Sequence, residues 1–131
     1  MIFGGSLLGG IRDLAAGAID ERGDGAAAGD RLGSSVAGGD VNGDGRADLV
    51  VGAPKADPSG RIDAGAAYVR FGATLGSGAF DVEIDGASAG DEAGVVAVMG
   101  GNIAVASPAA SPVGRPNAGQ VHVVTRASAG G

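Results

Sequence analysis

The fold of this chain is decided by Asp40-Val41-Asn42-Gly43-Asp44-Gly45-Arg46-Ala47-Asp48 and the apolar run that follows it, Leu49-Val50-Val51. Oxygen-bearing side chains stand at positions 1, 3, 5 and 9 of this stretch, and glycines stand at positions 4 and 6. Ca²⁺ takes about six to eight oxygen ligands, often from a tightly curled loop. The spacing therefore predicts a calcium loop. The plain alternative is a solvated turn, rich in Asp, Asn and Gly, between two strands.

The candidate ligands are four side chains and one backbone carbonyl, with water completing the shell. They are Asp40, Asn42, Asp44, the carbonyl of Arg46, and Asp48. The loop is not an EF-hand, because position 12 holds Val51 in place of a bidentate Glu. The residues that follow also indicate a strand instead of a helix, since Leu49–Pro54 is short, β-branched and closed by Gly and Pro.

Composition narrows the classes of protein to consider. The chain has 131 residues, 28 of them Gly, with 3% aromatic residues, no cysteine and a net charge of −6. A length of this order suits one small domain, and the small residues predict a thin core. The acidic balance argues against a nucleic-acid partner, which needs a basic face, and it agrees with cation binding. Without cysteine there is neither a disulfide nor a thiolate metal site.

No segment predicts membrane insertion or export. The apolar runs stay well short of the roughly 18 residues that a membrane span needs. Residues 1–10 lack the basic start of a signal peptide, and glycines interrupt their apolar stretch.

The chain repeats itself, and the second copy lacks the acidic loop. Three segments recur: Ala28–Gly33 as Ala89–Gly94, at a shift of 61, and then Asp48–Pro54 as Asn102–Pro108 and Gly60–Gly65 as Gly114–Gly119, both at a shift of 54. The shift falls by seven because Met99-Gly100-Gly101 replaces the loop as a short turn. We therefore expect calcium in the first copy and none in the second.

Each copy reads as a set of short strands. The predicted strands are Gly33–Ala37, Leu49–Ala53, Ala66–Phe71, Phe80–Ile84, Gly94–Val98, Ile103–Ala106 and Gln120–Val124, with earlier ones at Ile2-Phe3 and Ala15–Ile19. Alternation in the fourth predicts that Phe80, Val82 and Ile84 share one face. A period of about 55–65 residues with about four strands per unit is typical of a β-propeller blade. The predicted division is the end of a preceding blade at 1–27, a calcium-loop blade at 28–85, a degenerate blade at 86–125 and a tail at 126–131.

Residues 29–54 resemble an FG-GAP repeat, the blade of the integrin alpha-subunit β-propeller and its bacterial relatives. Gly52-Ala53-Pro54 matches one half of the motif, and Leu32-Gly33 and Phe71-Gly72 stand for the Phe-Gly half. The resemblance is strong over 28–72 and weaker over 85–124. It implies Ca²⁺ in the hairpin between the first two strands of a blade, held by the residues given above. It also implies an extracellular or cell-surface protein without catalytic activity, whose partner is a protein or carbohydrate ligand.

The resemblance leaves the context of the blades open. The expected architecture is all-β, with about two four-stranded antiparallel blades and part of another, whereas a propeller closes with at least about four blades. The chain is therefore an excerpt, or a subunit that completes a ring as a homo-oligomer. FG-GAP repeats also accompany catalytic domains in secreted hydrolases of the phospholipase D type, so an accessory propeller segment of such an enzyme is the alternative function.

Two further motifs favour a structural interpretation. Arg22-Gly23-Asp24 is the tripeptide that integrins bind, but in a chain so rich in Gly and Asp a plain polar turn is the favoured interpretation. His122 is the only histidine, and the sequence supplies no partner that would make it a catalytic base.

Overall fold

Seven strands form two antiparallel sheets in the computed structural model, which describes residues 22–74 and 79–125. The first sheet has the order β1-β2-β3-β4 and the second the order β5-β6-β7. The strands are β1 Ser35–Gly39, β2 Asp48–Ala53, β3 Ala66–Arg70, β4 Val82–Asp85, β5 Val95–Met99, β6 Asn102–Ser107 and β7 Gln120–Val124. The predicted all-β architecture of blade-like sheets is confirmed.

Seven of the predicted strands are present within one or two residues of their expected ends. The strands predicted at 2–3 and 15–19, and the tail at 126–131, lie outside the described residues. In the described ranges the only helical elements are two 3-10 turns, Pro58–Gly60 and Gly72–Thr74. Accordingly, no helix in these ranges has the length and apolar character to cross a membrane.

The two sheets stack face to face. We call the face of the first sheet that bears Val50, Ala67 and Val69 its front face, and these three side chains are fully buried. They pack against Val96, Ile103 and Val105 on the back face of the second sheet. Val41, in the acidic loop, joins this cluster and is also fully buried. The core therefore lies between the sheets, and the loop is anchored to it by an apolar side chain.

Glycine sets how closely the sheets approach. A Cβ on Gly52 would stand 1.7 Å from the carbonyl oxygen of Gly94, and one on Gly65 would stand 2.1 Å from that of Ala93. No side chain fits at either position, because backbone of the second unit occupies the space. The Gly of Gly52-Ala53-Pro54 is therefore a packing requirement between neighbouring sheets.

Backbone hydrogen bonds also join the two units. The loop between β2 and β3 accepts four N–H groups from the connection between β4 and β5 through the carbonyls of residues 62–65. The bonds are Gly90 to Ile62 at 2.8 Å, Glu92 to Asp63 at 2.9 Å, Ala93 to Ala64 at 2.9 Å and Gly86 to Gly65 at 2.7 Å. A Lys55–Glu92 ion pair of 2.7 Å lies beside them. This short ladder fixes the second unit against the first.

The prediction for Phe80 was wrong. Strand β4 begins at Val82, and Val82 and Ile84 pack toward the core between the sheets. Phe80 precedes the strand and contacts Tyr68, with ring centroids 5.2 Å apart, and the Arg70 guanidinium, 4.8 Å from the ring centre. Both partners lie on the back face of the first sheet, since Tyr68 pairs with Val51 and Arg70 with Leu49. The alternation seen in the sequence holds only within the strand, which begins at Val82, so Phe80 lies on the opposite face.

Two acidic side chains on β4, Glu83 and Asp85, lie close enough to share a hydrogen bond and to repel each other when both are charged. The pKa of Glu83 is raised above its ordinary value of 4.5 by a hydrogen bond with Asp85, by partial burial and by the charge of Asp85. The two residues are two apart on one strand and therefore share a face. The folded protein holds this proton to a higher pH than the unfolded chain does. The contribution of this bound proton to the free energy of unfolding is present below about pH 4.5 and is lost as pH rises through the raised pKa of Glu83.

We expect Glu83→Gln to raise the melting temperature at pH 7 and to leave it unchanged at pH 3.5, because only the charged carboxylate is disfavoured by folding. Thermal unfolding followed by circular dichroism at both pH values measures the difference. A gain of equal size at the two pH values would show that the substitution acts through packing, and a loss at pH 7 would contradict the opposition between Glu83 and Asp85.

Candidate metal centre

The acidic stretch forms the hairpin loop between β1 and β2. Gly39 and Asp48 are the last residue pair of the two strands, so residues 40–47 close the turn. Gly43 and Gly45 have φ angles of 82° and 83°, in the left-handed region that glycine tolerates best. Both glycines are therefore required by the backbone of the loop, as the spacing suggested.

Three of the predicted ligands converge. One oxygen each from Asp40, Asp44 and Asp48 lies within 4.8 Å of the others, and this is the one such group of His, Cys, Asp or Glu found in the described ranges. Asp44 is exposed, Asp40 is half-buried and Asp48 is 3% exposed. The centre thus opens to solvent on one side and is anchored in the protein on the other.

Backbone N–H groups hold the carboxylates in place. The two Asp40 oxygens accept from Gly43 N–H at 2.7 Å and from Gly45 N–H at 2.9 Å. The Asp44 Oδ1 accepts from Arg46 N–H at 2.9 Å. Each carboxylate oxygen can accept more than one interaction, so these bonds orient the oxygens without using up their capacity for a cation.

Asn42 and Arg46, the other two predicted ligand positions, lie in the same turn. The Asn42 Oδ1 accepts a hydrogen bond from the Asp44 N–H at 3.3 Å, so this amide oxygen lies beside the backbone of the acidic loop. Arg46 is exposed and donates its N–H to Asp44. The donor set of the loop is therefore oxygen only, which suits a hard cation such as Ca²⁺ and offers nothing to a soft metal.

Asp48 has a second role that the sequence did not reveal. Its Oδ2 accepts the N–H of Val41 at 2.7 Å, and its Oδ1 accepts the N–H of Gly72 at 2.7 Å. The first bond closes the loop, and the second reaches 24 residues along the chain to the end of β3. A Cβ on Gly72 would stand 2.3 Å from the carbonyl oxygen of Ala47. The Phe71-Gly72 pair was visible in the sequence, and its glycine is required by this close approach.

The second unit closes the corresponding hairpin without acidic residues. Met99 pairs with Asn102, and Gly100 and Gly101, with φ angles of 53° and 96°, make a two-residue turn. Asn102 stands at the position of Asp48, at the start of β6. The strands thus form with either connection, so the acidic loop is an addition to one unit.

The remaining candidates do not form a site in the described part of the chain. Arg22 and Asp24 are exposed and pair with each other, Nε to Oδ1, at 3.2 Å. His122 is exposed on β7, opposite Val105 of β6. Neither feature is drawn into the loop at 40–48.

Stacked antiparallel sheets of four and three strands, the first with an acidic loop in its first hairpin, are the arrangement expected of β-propeller blades. Residues 32–69 match the FG-GAP repeat, so the chain carries one such repeat from Leu32 to Val69. This range contains the loop and strands β1 to β3.

Two curated relatives are similar over a short stretch. Phosphatidylinositol-glycan-specific phospholipase D of Rattus norvegicus is 44% identical over 55 residues, which is 42% of this chain and 6% of the relative. The Bos taurus protein of the same name is 44% identical over 55 residues, or 42% of this chain and 7% of the relative. The chain thus matches less than a tenth of the length of either enzyme.

We expect Asp48→Ala to lower the free energy of unfolding by about 2–4 kcal/mol in EDTA, because two N–H groups lose a charged acceptor and Val41 N–H is buried. Asp44→Ala is the matched control, since Asp44 is exposed and its carboxylate accepts only the Arg46 N–H among the described residues, and it should cost less than about 1 kcal/mol. Urea unfolding of both variants without metal measures the difference. Equal losses in the two variants would contradict the bracing role of Asp48.

Proposed function

We propose that this chain is a calcium-stabilised, non-catalytic β-propeller module that binds a protein or carbohydrate ligand outside the cell or at its surface. One observation carries the calcium part: oxygens of Asp40, Asp44 and Asp48 meet within 4.8 Å in a loop that supplies only oxygen donors. Three carboxylates so close together repel one another, and a divalent cation removes that repulsion. The proposed ligands are these three residues, Asn42 and the carbonyl of Arg46.

The proposed work of the metal is structural. The loop is joined through Val41 to the core and through Asp48 to Gly72, so a cation that tightens the loop stabilises the first sheet. A loop with one neutral side-chain ligand and no bidentate Glu suits a weak site, with a dissociation constant of about 10⁻⁵–10⁻³ M. Such a site fills at the calcium concentrations found outside cells, which supports an extracellular setting.

The proposed ligand-binding surface lies at the opposite end of the sheets from the metal loop. There the connection between β4 and β5 and the long loop between β6 and β7 enclose a groove of about 690 Å³. Its polar lining includes Ser88, Asp91, Arg115 and Asn117. Loops contributed by more than one strand connection, on a fixed sheet scaffold, are the usual place for recognition.

We expect saturating Ca²⁺ to raise the free energy of unfolding by RT ln(1 + [Ca²⁺]/Kd), or about 2.7 kcal/mol at a hundredfold excess over Kd, and EDTA to reverse the gain. Thermal unfolding across a calcium titration gives the size of the gain, and isothermal titration calorimetry gives Kd and a stoichiometry of one.

The variants Asp44→Asn and Asp24→Asn distinguish calcium binding by the loop from attraction of calcium to any exposed acidic side chain. Asp44 is one of the three converging carboxylates, whereas Asp24 is another exposed acid that pairs only with Arg22 among the described residues. The first variant should weaken calcium binding at least about tenfold, and the second should bind as the parent does. A melting temperature that changes with neither Ca²⁺ nor EDTA would refute a structural role for the metal.

The similarity to phosphatidylinositol-glycan-specific phospholipase D favours a second candidate, in which these blades form the accessory segment of a secreted hydrolase. An antibody against this chain, used on the cells that produce it, tests the second candidate. A band far larger than 12.3 kDa that co-purifies with hydrolase activity favours the accessory segment, and a band at 12.3 kDa favours the free module.

A further inference from the structure

The second sheet carries an exposed face whose counterpart in the first sheet is fully buried. We call the face that bears Ala104, Val121 and Val123 the front face of the second sheet. At the 54-residue shift these residues correspond to Val50, Ala67 and Val69, which are 0% exposed against the second sheet. Val121 is 63% exposed and Val123 50% exposed, and Val95 and Met99 on β5 add to the same apolar surface.

The loop beside this face is built like the loop that joins the two units. In the first unit, bonds run from Arg61 N–H to Pro58, from Ala64 N–H to Arg61 and from Gly65 N–H to Ala56. In the second unit the same bonds run 54 residues later, from Arg115 N–H to Pro112, from Ala118 N–H to Arg115 and from Gly119 N–H to Ala110. A side-chain oxygen of Asp57 accepts Asp63 N–H, and Ser111 accepts Asn117 N–H in the same way.

Within the described residues, the second loop therefore presents a row of backbone acceptors that lack the donors found in the first unit. Residues 62–65 accept four N–H groups from the neighbouring unit, and the equivalent carbonyls at residues 116–119 accept none from the described residues. Residues 116–118 are exposed. A partner with four N–H groups in the arrangement of Gly86, Gly90, Glu92 and Ala93 would complete this edge.

The same chain carries that arrangement at its other end. At the 61-residue shift the four donors correspond to Gly25, Gly29, Arg31 and Leu32, whose N–H groups bond to no described residue. Their segment folds as its counterpart does, since Asp30 N–H donates to Ala27 as Asp91 N–H donates to Ser88. Arg31 and Glu92 also share a left-handed backbone, with φ angles of 62° and 56°.

The first sheet also exposes an apolar surface. On the back face of the first sheet, Val36 is 62% exposed and Leu49 is 37% exposed. Their counterparts in the second sheet, Val96 and Ile103, are buried against the first sheet at 8% and 0% exposure. The front face of the second sheet and the surface formed by Val36 and Leu49 thus each repeat part of the contact that the two sheets make internally, while Val51 and Arg70 on the same back face are buried, at 5% and 1% exposure.

We propose that a second copy of this chain docks its first unit on the front face of the second sheet, and that copies associate head to tail. The carbonyls of residues 116–119 accept the N–H groups of residues 25–32 of the next copy, and Val121 and Val123 cover Val36 and Leu49. Such a contact uses two different surfaces, so it propagates until a ring closes. Propellers hold about four to eight blades, so a ring of two to four copies fits two sheets per copy.

One position sets the strength of the contact. Ala106 stands where Gly52 lies in the first sheet, and a Cβ there would meet backbone of the incoming unit, as it would at Gly52. The contact between copies is therefore wider than the internal one and weaker. Ala106→Gly removes the obstruction and should lower the dissociation constant about tenfold.

Sedimentation equilibrium of the full chain at fixed 1 mM Ca²⁺ tests the proposal. We expect a mass of two to four times 12.3 kDa that falls toward the monomer on dilution. Val121→Glu should give monomers, and Val113→Glu should associate as the parent does, because Val113 is 92% exposed and its counterpart Ser59 stays exposed in the internal contact. Val123→Glu repeats the test if Val121→Glu fails to fold by circular dichroism.

Mixing two variants separates head-to-tail contact from other arrangements. Val121→Glu places a charge on the front face of the second sheet, and Val36→Glu places one on the back face of the first sheet. Each variant alone should therefore be a monomer. A mixture should form a one-to-one dimer, because each chain keeps the face that the other has lost. A parent chain that stays monomeric to about 0.5 mM overturns the proposal. So does a Val36→Glu chain that still associates alone, a mixture without dimers, loss of association in Val113→Glu, or no tightening in Ala106→Gly.

Discussion

The carboxylate of Asp48 is the contact on which the first unit depends. It accepts the N–H of Val41 on one side and that of Gly72 on the other, both at 2.7 Å, and it is almost fully buried. These two bonds join the start of the loop, the start of β2 and the end of β3. Val41 is thereby held in the core between the sheets, and the other carboxylates of the loop face a common centre. The proposed cation at that centre would add to a brace that the backbone already provides.

Small residues set the second constraint. With 28 Gly and few aromatic residues, the chain has few large apolar side chains to bury, and close approach of the backbone adds to its packing. Gly52, Gly65 and Gly86 each lie where a Cβ would meet the backbone of the other unit. This proximity allows the ladder between residues 62–65 and 86–93 to form. The relation between the sheets is therefore fixed by hydrogen bonds as well as by apolar contact.

Patterns in the sequence predicted the strands and the convergence of Asp40, Asp44 and Asp48, because each depends on neighbouring residues, and the repeat was visible as recurring segments. They did not predict the bond from Asp48 to Gly72, which depends on where the end of β3 lies in space. They also misplaced Phe80, since strict alternation holds only inside a strand and β4 begins at Val82. The exposed front face of the second sheet was equally hidden, because alternation shows that a strand has two faces and not which face a neighbour covers.

Calcium as a local brace is the central claim, and the contrast between the two hairpins offers its sharpest test. Both hairpins join equivalent strands, yet of the two only the hairpin at residues 40–48 brings three carboxylates together. A calcium titration followed by ¹H–¹⁵N correlation spectra reports on each hairpin in one experiment. The account predicts saturable shifts for the amides of residues 41–48 and Gly72, with Gly100 and Gly101 unchanged. Amides at 41–48 that do not move up to about 10 mM Ca²⁺, or shifts centred on another segment, would contradict it.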